Sequence, residues 1–204
     1  MPAATCADTL IGHGGDDDYV LFNGADKVVE VAGGGTNDRI LTDVSFILAP
    51  DDDIERVLAY TVTSTAAVNL TANAIAQTLA GNNGNNRLDG REGIDNLTGL
   101  AGNDTFVFST SLGTANIDRI TDFGLGDDRI ELKASIFTAL STGSLASTGF
   151  ASNTTGVATT TSHRILYESD TGFLFYDADG TGTTQAVRFA TLRACCSHSD
   201  SGFP

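Results

Sequence analysis

The stretch GNNGNNRLDGREGIDNLTGLAGNDTFV, residues 81–107, divides into three nonapeptides that begin at residues 81, 90 and 99. Each nonapeptide has Gly at its first and fourth positions, Asn or Asp at its sixth, and a large apolar residue at its eighth. Because all four positions hold in three successive units, the chain contains a true internal repeat. In position order the repeated residues are Gly81, Gly90 and Gly99; Gly84, Gly93 and Gly102; Asn86, Asp95 and Asp104; and Leu88, Leu97 and Phe106.

The repeat predicts one turn and one short strand in every nine residues. Glycine permits positive φ and close backbone approach, so positions 1–5 form the turn. A single apolar residue between polar neighbours at positions 7–9 is typical of a strand with one inward side chain. Two nonapeptides then complete one coil, with Leu88 and Phe106 on one sheet and Leu97 on the other. The predicted fold class is all-β, a parallel β-roll with a β-rich C-terminal cap.

Such a roll has a thin core, and burial alone cannot offset the entropy of ordering so many glycines. The sixth-position carboxylates stack in columns and repel one another unless a cation lies between them. Ca²⁺ accepts six to eight oxygen ligands at about 2.3–2.6 Å, whereas Mg²⁺ demands a rigid octahedron. Cys6 and His13 are the only soft or imidazole ligands in the repeat frames, which disfavours Zn²⁺.

The same frame returns outside the opening stretch. It fits residues 12–20 and 21–29, and it fits 3–11 with Cys6 in place of the fourth-position glycine, so the chain is expected to begin inside an array. It also fits 33–41, with Thr36 at the second glycine, and 123–131. Outside 81–107, the glycines at first or fourth positions and the aspartates at sixth positions of these frames include Asp8, Gly12, Gly15, Asp17, Gly24, Asp26, Gly126 and Asp128.

These motifs resemble the haemolysin-type calcium-binding (RTX) repeat family, in particular the C-terminal modules of secreted bacterial serralysin-type proteases and mannuronan C-5 epimerases. Residues 103–132 are similar to the segment that closes the roll in those modules, 164–192 to their terminal β-hairpin cap, and 16–48 to a linker between modules. The resemblance implies that Asp118 and Asp122, in DRITDF, help to bind the last calcium ion. Asn86 departs from the family pattern, because it replaces a charged ligand.

The sequence predicts five segments. They are a partial N-terminal repeat array and linker (1–48), a β-strand connector (49–80), the β-roll (81–131), a β cap (132–192) and an atypical tail (193–204). The connector is expected to form strands with at most one helical turn at 51–58, and a domain boundary is expected between 45 and 80. Residues 132–142 are predicted to form a short helix and 143–162 an exposed loop.

The predicted metal site combines sixth-position carboxylates with turn glycines that offer backbone carbonyls. Solvated Asx turns are the alternative for every one of these positions. YDADGTG (176–182) resembles the start of an EF-hand loop, but the loop's required glutamate is replaced by Arg188, so a hairpin turn is favoured. The candidate calcium ligands are Asp8, Gly15, Asp17, Gly24, Asp26, Gly84, Asn86, Gly93, Asp95, Gly102, Asp104, Asp118, Asp122 and Asp128.

Composition restricts the partners. The chain of 204 residues carries 26 acidic and 11 basic residues and a net charge of −15, which disfavours nucleic acid and anionic membranes. No apolar run is long enough to cross a membrane, and three cysteines, Cys6, Cys195 and Cys196, provide no disulfide framework. The N-terminus has no classical signal peptide, so the protein is expected to be cytoplasmic, a fragment, or exported by a route that reads another signal.

No catalytic motif is present, since none of the three histidines lies in H-E-x-x-H and no G-x-S-x-G or Walker sequence occurs. The sequence predicts a non-catalytic, extracellular calcium-binding module that folds on calcium binding after export. Two alternatives stay open. One is a fragment of a larger secreted enzyme with an upstream catalytic domain, which the adjoining genomic sequence would reveal. The other is a polysaccharide-binding module. The acidic charge of the chain argues against binding of anionic glycans unless calcium bridges the protein and the glycan.

Overall fold

The computed structural model of the protein describes residues 6–192, and the predicted tail at 193–204, with Cys195 and Cys196, lies outside this range. The described chain is almost entirely β. One 3-10 helix spans Ser147–Gly149. The strands are β1 (Thr9–Ile11), β2 (Asp18–Leu21), β3 (Lys27–Val29), β4 (Arg39–Thr42), β5 (Phe46–Ile47), β6 (Arg56–Ala59), β7 (Leu70–Thr71), β8 (Thr78–Ala80), β9 (Arg87–Asp89), β10 (Asn96–Thr98), β11 (Thr105–Phe108), β12 (Asp118–Ile120), β13 (Arg129–Leu132), β14 (Phe150–Asn153), β15 (Ile165–Glu168), β16 (Phe173–Tyr176) and β17 (Val187–Leu192).

The strands from β4 to β13 alternate between two parallel sheets, so the chain winds as a flat solenoid. Even-numbered strands β2 to β12 belong to a ten-stranded sheet, and odd-numbered strands β5 to β13 form a five-stranded sheet. Phe106 pairs with Leu88 in the five-stranded sheet, while Leu97 pairs with Leu79 in the ten-stranded sheet. The predicted β-roll, including the placement of its three eighth-position residues, is therefore confirmed.

The core of the roll is one side chain thick. Each strand of the repeat sends its eighth-position residue inward, and Leu88, Leu97 and Phe106 are all fully buried. Ile40 and Ile120 continue the same filling in neighbouring coils. Such a narrow core stabilises each coil mainly through its contacts with the coils above and below, as in other repeat proteins.

The segment from 49 to 80 forms further coils of the same solenoid, although it lacks the glycine repeat. β6 and β8 extend the ten-stranded sheet, and β7 extends the five-stranded one. In the turn at 72–77 an amide network replaces the carboxylate column: the Asn73 Nδ2 donates to the carbonyls of Ala49 (2.9 Å) and Asp52 (2.7 Å). Residues 51–58 form no helix: Val57 and Leu58 lie in strand β6, and Ile54 is buried in the turn before it. The division of the chain into domains stays a prediction.

The C-terminal cap closes the solenoid with antiparallel strands. β15, β16 and β17 pair antiparallel, and β17 joins the roll by pairing in parallel with β12. Phe189 makes edge-to-face contacts with Phe108 of the roll and with Phe137, so an aromatic cluster fills the junction. The predicted hairpin turn at 176–182 is confirmed, because Asp177 Oδ1 accepts the backbone N–H groups of Asp179 and Gly180 within the β16–β17 connection.

Two local predictions in the cap are wrong. The helix predicted at 132–142 is a series of turns, because burial of Phe137 against Phe189 and Tyr176 outweighs the propensity of a segment too short to nucleate a helix. The loop predicted at 143–162 contains the 3-10 helix and β14, which pairs in parallel with β15. Strand β14 forms because β15, which lies outside residues 143–162, offers it a partner strand.

Candidate metal centre

The turns of the solenoid stack in two rows. The first turn row leads from the ten-stranded to the five-stranded sheet and includes turns 81–86, 99–104 and 121–128. The second turn row leads into the ten-stranded sheet and includes turns 12–17, 30–38, 48–55, 72–77, 90–95 and 109–117; the first two of these turns start from the two-stranded sheet of β1 and β3. Since strands alternate along the chain, nonapeptides eighteen residues apart become neighbours in one row.

Sixth-position side chains link successive turns by a ladder of hydrogen bonds. In the first turn row, Asp104 Oδ1 accepts the backbone N–H of Asn86 (2.8 Å), and Asp128 Oδ1 accepts that of Asp104 (2.9 Å). In the second, Asp95 Oδ1 accepts the N–H of Gln77 (2.7 Å), and Asp118 Oδ1 accepts that of Asp95 (3.1 Å). One oxygen of each carboxylate is thereby fixed by the neighbouring turn.

Four carboxylates at the sixth repeat position have an oxygen without a partner. Within residues 6–192, the buried Oδ2 atoms of Asp17, Asp38, Asp95 and Asp104 accept no hydrogen bond. An unpaired buried carboxylate oxygen carries a large desolvation cost, which a coordinated cation removes. All four occupy the sixth repeat position, and carboxylate oxygens are the ligands that Ca²⁺ prefers. The residues present therefore fit the expected ion.

Two fourth-position glycines, Gly93 and Gly102, are required by this stacking. Gly102 has a φ of 121°, and a Cβ there would overlap the carbonyl oxygen of Gly84 in the neighbouring turn. Gly93 has a φ of 114°, and a Cβ would lie 2.5 Å from the carbonyl oxygen of Ile75. Only glycine combines this conformation with such close backbone approach, which brings turn carbonyls into the same columns as the carboxylates.

Asn86 behaves differently from the aspartates of its column. Its Oδ1 accepts the N–H of Val68 (3.0 Å), and its Nδ2 donates to the carbonyls of Asn82 (2.8 Å) and Gly84 (2.7 Å). Nδ2 also lies 3.1 Å from Asp104 Oδ1. The amide nitrogen therefore satisfies oxygens that elsewhere in the repeat are available to a cation. Asn86 as a calcium ligand stays a prediction.

Other predicted ligands already accept hydrogen bonds from the backbone with both oxygens. Asp122 accepts the N–H groups of Gly99 (3.1 Å) and Leu100 (2.8 Å), and Asp128 accepts those of Asp104 and Gly124. Asp26 Oδ1 accepts the N–H of Asp8 (3.0 Å), which joins the first two coils. Gly15 and Gly24 lie in turns of the second and first rows, respectively. The structure thus separates free oxygens at Asp17, Asp95 and Asp104 from occupied ones at Asp26, Asp122 and Asp128.

Two acidic residues near these columns were missed by the sequence analysis. Asp38 stands at the sixth position of the frame at 33–41, so the repeat itself carried the signal. Glu30 stands outside every repeat position, immediately after β3, and nothing in the pattern singles it out. One oxygen from each of Asp17, Glu30 and Asp38 lies within 4.8 Å of the other two.

Burial raises the pKa values of three column carboxyls, those of Asp95, Asp104 and Asp118. Desolvation, followed by repulsion from Asp118, raises the pKa of Asp95 to about 8. Burial also raises the pKa values of Asp118 and Asp104 above their ordinary range. Without a cation, Asp95 therefore holds a proton at neutral pH, and a cation that binds there must displace it.

This proton predicts a pH dependence with a definite sign. The ordinary pKa of Asp95 is 3.8, so in EDTA its contribution to folding is most favourable below that value and is lost progressively up to about pH 8. Calcium competes with the proton, so its affinity should rise with pH by up to about tenfold per unit below pH 8 and then level off. Calcium titrations at pH 6, 7 and 8.5 measure this change. Equal affinities at all three values would contradict the proton displacement.

The fold and its turns define a class: a parallel β-solenoid whose stacked carboxylates and turn carbonyls suit hard cations. Residues 77–109 match the model of the RTX calcium-binding nonapeptide repeat, in four copies. Residues 77–109 therefore carry RTX repeats, and this repeat family binds Ca²⁺. The search among curated proteins gave no match. No helix of residues 6–192 is both long and apolar enough to cross a membrane.

Proposed function

We propose that the protein is a calcium-binding module of a secreted bacterial protein and that it completes its folding when it meets extracellular calcium. The observation that carries this proposal is the set of buried, unpartnered carboxylate oxygens at the sixth position of stacked turns. RTX repeats are typical of secreted bacterial proteins. At low calcium, the column carboxylates can stack only if they repel one another or take up protons, and this cost would keep the chain loose enough for export.

Calcium ions would be held by Asp95 in the second turn row and Asp104 in the first, with carbonyl oxygens of the adjoining turns. The backbone N–H bonds to Oδ1 orient each carboxylate, so that Oδ2 is the oxygen left to face an ion. Bound calcium supplies the positive charge that these columns lack. Asp8, Asp17, Asp26, Asp118, Asp122 and Asp128 remain proposed ligands, and the glycines Gly15, Gly24, Gly84, Gly93 and Gly102 remain proposed carbonyl donors.

Calcium is expected to stabilise the roll measurably. Extracellular modules typically bind calcium with a Kd of about 10⁻⁴–10⁻³ M. At a free concentration of about 10–100 times Kd, each site adds about 1.4–2.7 kcal/mol to the free energy of unfolding. Far-ultraviolet circular dichroism and thermal melting should show a calcium-dependent gain of β signal and a higher Tm. If EDTA leaves both unchanged while mass spectrometry counts no bound ion, the proposal fails.

A second candidate function is binding of an anionic polysaccharide, and the outer face of the ten-stranded sheet favours it. Register places a row of polar residues across neighbouring strands of this face, about 4.8 Å apart. We call it the arginine row. Its members are Asp18, Arg39, Arg56, Thr78, Asn96, Arg119 and Thr191.

Positive charge collects on this face despite the acidity of the whole chain. Arg39 pairs with Asp18, and among the described residues Arg56, Arg119 and Arg188 take part in no ion pair. Arg188 lies over the ring of Phe173, with its guanidinium carbon 4.3 Å from the ring centroid. Arg119 and Arg188 line one cleft of about 570 Å³ together with three threonines. The charge argument against anionic glycans therefore does not apply to this surface.

The glycan hypothesis predicts that Arg119→Gln weakens binding of an oligouronate about tenfold or more, because a charge-assisted hydrogen bond contributes about 1.5–3 kcal/mol. Isothermal titration in excess calcium measures this, with a neutral oligosaccharide of equal length for comparison. Arg129→Gln is the matched control, since Arg129 is an exposed arginine on the opposite sheet, in β13. Absence of binding heat, or equal losses in both variants, would eliminate this candidate.

A further inference from the structure

A cleft lies where the cap meets the roll, on the outer face of the ten-stranded sheet. Its volume is about 570 Å³, within the range of about 300–1,000 Å³ that small-molecule sites occupy. Arg119 of β12 and Arg188 of β17 both line it, so the roll and the cap each contribute one positive charge. The cleft is therefore large enough for a small organic molecule and has charged groups on two separate elements.

A β-bulge in the cap directs Arg188 towards this cleft. The pairing of β17 with β16 skips Phe189, because Ala190 and Arg188 oppose consecutive residues of β16. Thr191 lies on the outer face, so a regular strand would place Phe189 outside and Arg188 inside. The extra residue reverses this: Phe189 is 1 % exposed in the aromatic junction, and Arg188 lines the cleft. Bulges often redirect a side chain beside a functional site.

Phe173 holds the redirected arginine in place. The guanidinium carbon of Arg188 lies 4.3 Å from the centroid of the Phe173 ring, which is close enough for a cation–π contact. Register places Phe173 beside Thr191, and Thr191 beside Arg119, on three neighbouring strands. Arg119 and Arg188 thus share one face of the sheet, at the point where the roll joins the cap.

Neither arginine is neutralised by a carboxylate of the described residues. The ion pairs found within residues 6–192 involve other arginines. The Glu168 carboxylate accepts a hydrogen bond from the hydroxyl of the lining residue Thr171 (2.6 Å) and forms no ion pair with Arg119 or Arg188. In a chain of net charge −15, two unpaired guanidinium groups in one cleft favour an anionic ligand. The planar donors of a guanidinium match the geometry of a carboxylate.

Aliphatic side chains form much of the remaining wall of the cleft. Ile94, Ile117 and Leu192 line it together with threonines. Ile94 is 52 % exposed, so a large apolar surface faces water there. A hydrocarbon group in the cleft would remove this surface from water, whereas the hydroxyl groups of a sugar would lose their own water against it. The walls therefore favour a ligand whose body is apolar.

We propose that this cleft binds a small carboxylate with an apolar body, of the type of a short aliphatic acid. The carboxylate would lie between Arg119 and Arg188, and the hydrocarbon would pack against Ile94 and Ile117. This site goes beyond both candidate functions, because it needs neither a calcium ion nor a polymer of sugar acids. It gives the junction of cap and roll a ligand of its own.

Titration of the full chain with hexanoate, in millimolar calcium and followed by ¹H–¹⁵N NMR, tests this site. We expect saturable shifts centred on the residues that line the cleft, with a Kd on the order of 1–10 mM. Acetate should bind at least tenfold more weakly, because each buried methylene changes affinity by up to about fourfold. Hexanol, which has no charge, and glucuronate, which has no apolar body, should also bind more weakly than hexanoate.

Substitutions separate the roles of charge and apolar surface. Arg119→Gln and Arg188→Gln should each weaken hexanoate binding about tenfold, through loss of a charge-assisted hydrogen bond. Arg129→Gln, on the opposite sheet, is the matched control and should bind as the parent does. Ile94→Ser should weaken hexanoate binding about threefold and leave acetate binding unchanged. Its matched control is Leu125→Ser, since Leu125 is an exposed apolar residue outside the cleft.

The positioning role of Phe173 has its own test. Phe173→Leu should weaken hexanoate binding about twofold to fivefold, because it removes the ring below the Arg188 guanidinium. Phe173→Tyr, which keeps an aromatic ring, should restore the affinity. Thermal melting checks that each variant is folded, and the comparison of hexanoate with acetate in the parent protein does not depend on any variant.

Equal binding of hexanoate and acetate, or parent affinity in a folded Arg188→Gln variant, would overturn the proposal. Glucuronate that binds as tightly as hexanoate would do so as well, and it would assign the cleft to the glycan candidate instead. Failure of the calcium proposal is a separate result. Hexanoate binding in a protein whose β signal ignores EDTA keeps this site and removes calcium-coupled folding, and calcium-dependent folding without hexanoate binding does the reverse.

Discussion

Replacing Gly102 with alanine should lower the free energy of unfolding by about 3 kcal/mol or more. The expected loss combines about 1–2 kcal/mol for a side chain in a left-handed conformation with about 1–3 kcal/mol for forcing apart a packed contact. Gly102 has a φ of 121°, and an added Cβ would overlap the carbonyl oxygen of Gly84. Because both turns face the same column, the separation would also displace the carbonyls expected to bind calcium.

Alanine substitutions at two other glycines separate the contribution of backbone strain from that of the packed contact. Gly124 has a φ of 91°, but a Cβ added there would meet no atom within 4 Å, so Gly124→Ala tests backbone strain alone. Gly113 also has open space around it and no positive φ, so Gly113→Ala should be nearly neutral. Urea unfolding in EDTA, repeated in calcium, gives all three values. Equal losses at Gly102 and Gly124 would show that close stacking of the turns contributes nothing.

The second large effect is expected at Asp95, and its sign should depend on calcium. In EDTA at pH 7, Asp95→Asn should stabilise the protein by on the order of 3 kcal/mol, because it removes a buried carboxyl whose raised pKa weakens folding. The substituted asparagine could still accept the N–H of Gln77 through its side-chain oxygen. Asn86 shows that an asparagine fits the sixth position of a stacked turn.

In excess calcium the same substitution should be destabilising relative to the parent protein, because it removes a charged ligand. Glu92→Gln is the matched control: it neutralises an exposed carboxylate in the same turn and should change stability little under either condition. Thermal melting of the parent and both variants, with EDTA and with calcium, measures the reversal. An Asp95→Asn variant that responds to calcium as the parent does would exclude Asp95 as a ligand.

The nonapeptide repeat predicted much of the roll, because its rules are local. Glycine at fixed positions permits the turn, and one apolar residue per strand must face inward, so Leu88, Leu97 and Phe106 could be assigned to their sheets from spacing alone. The same spacing placed Asp17, Asp95 and Asp104 at positions where the structure has an unpartnered oxygen. Asp38 also stands at a sixth position and also has an unpartnered oxygen.

Segments without the repeat depended on neighbours that no local pattern identifies. The coils at 49–80 exist because flanking coils offer sheet edges, and the amides of Asn73 and Gln77 bond the turn carbonyls there. Phe137 packs in a junction formed by Phe108, Phe189 and Tyr176, and that burial determined the conformation of 132–142. A short segment has too little intrinsic preference to resist such contacts.

The sequence by itself thus determined the coil, its inward residues and the type of ion that its columns suit, since all three follow from the nine-residue period. The tertiary structure decided which carboxylates are bonded to neighbouring backbone and which keep a free oxygen. It also brought Glu30 beside Asp17 and Asp38 and aligned Arg39, Arg56 and Arg119 on one face of an acidic protein. These features depend on the register between coils, and hydrogen bonds between residues distant in sequence set that register.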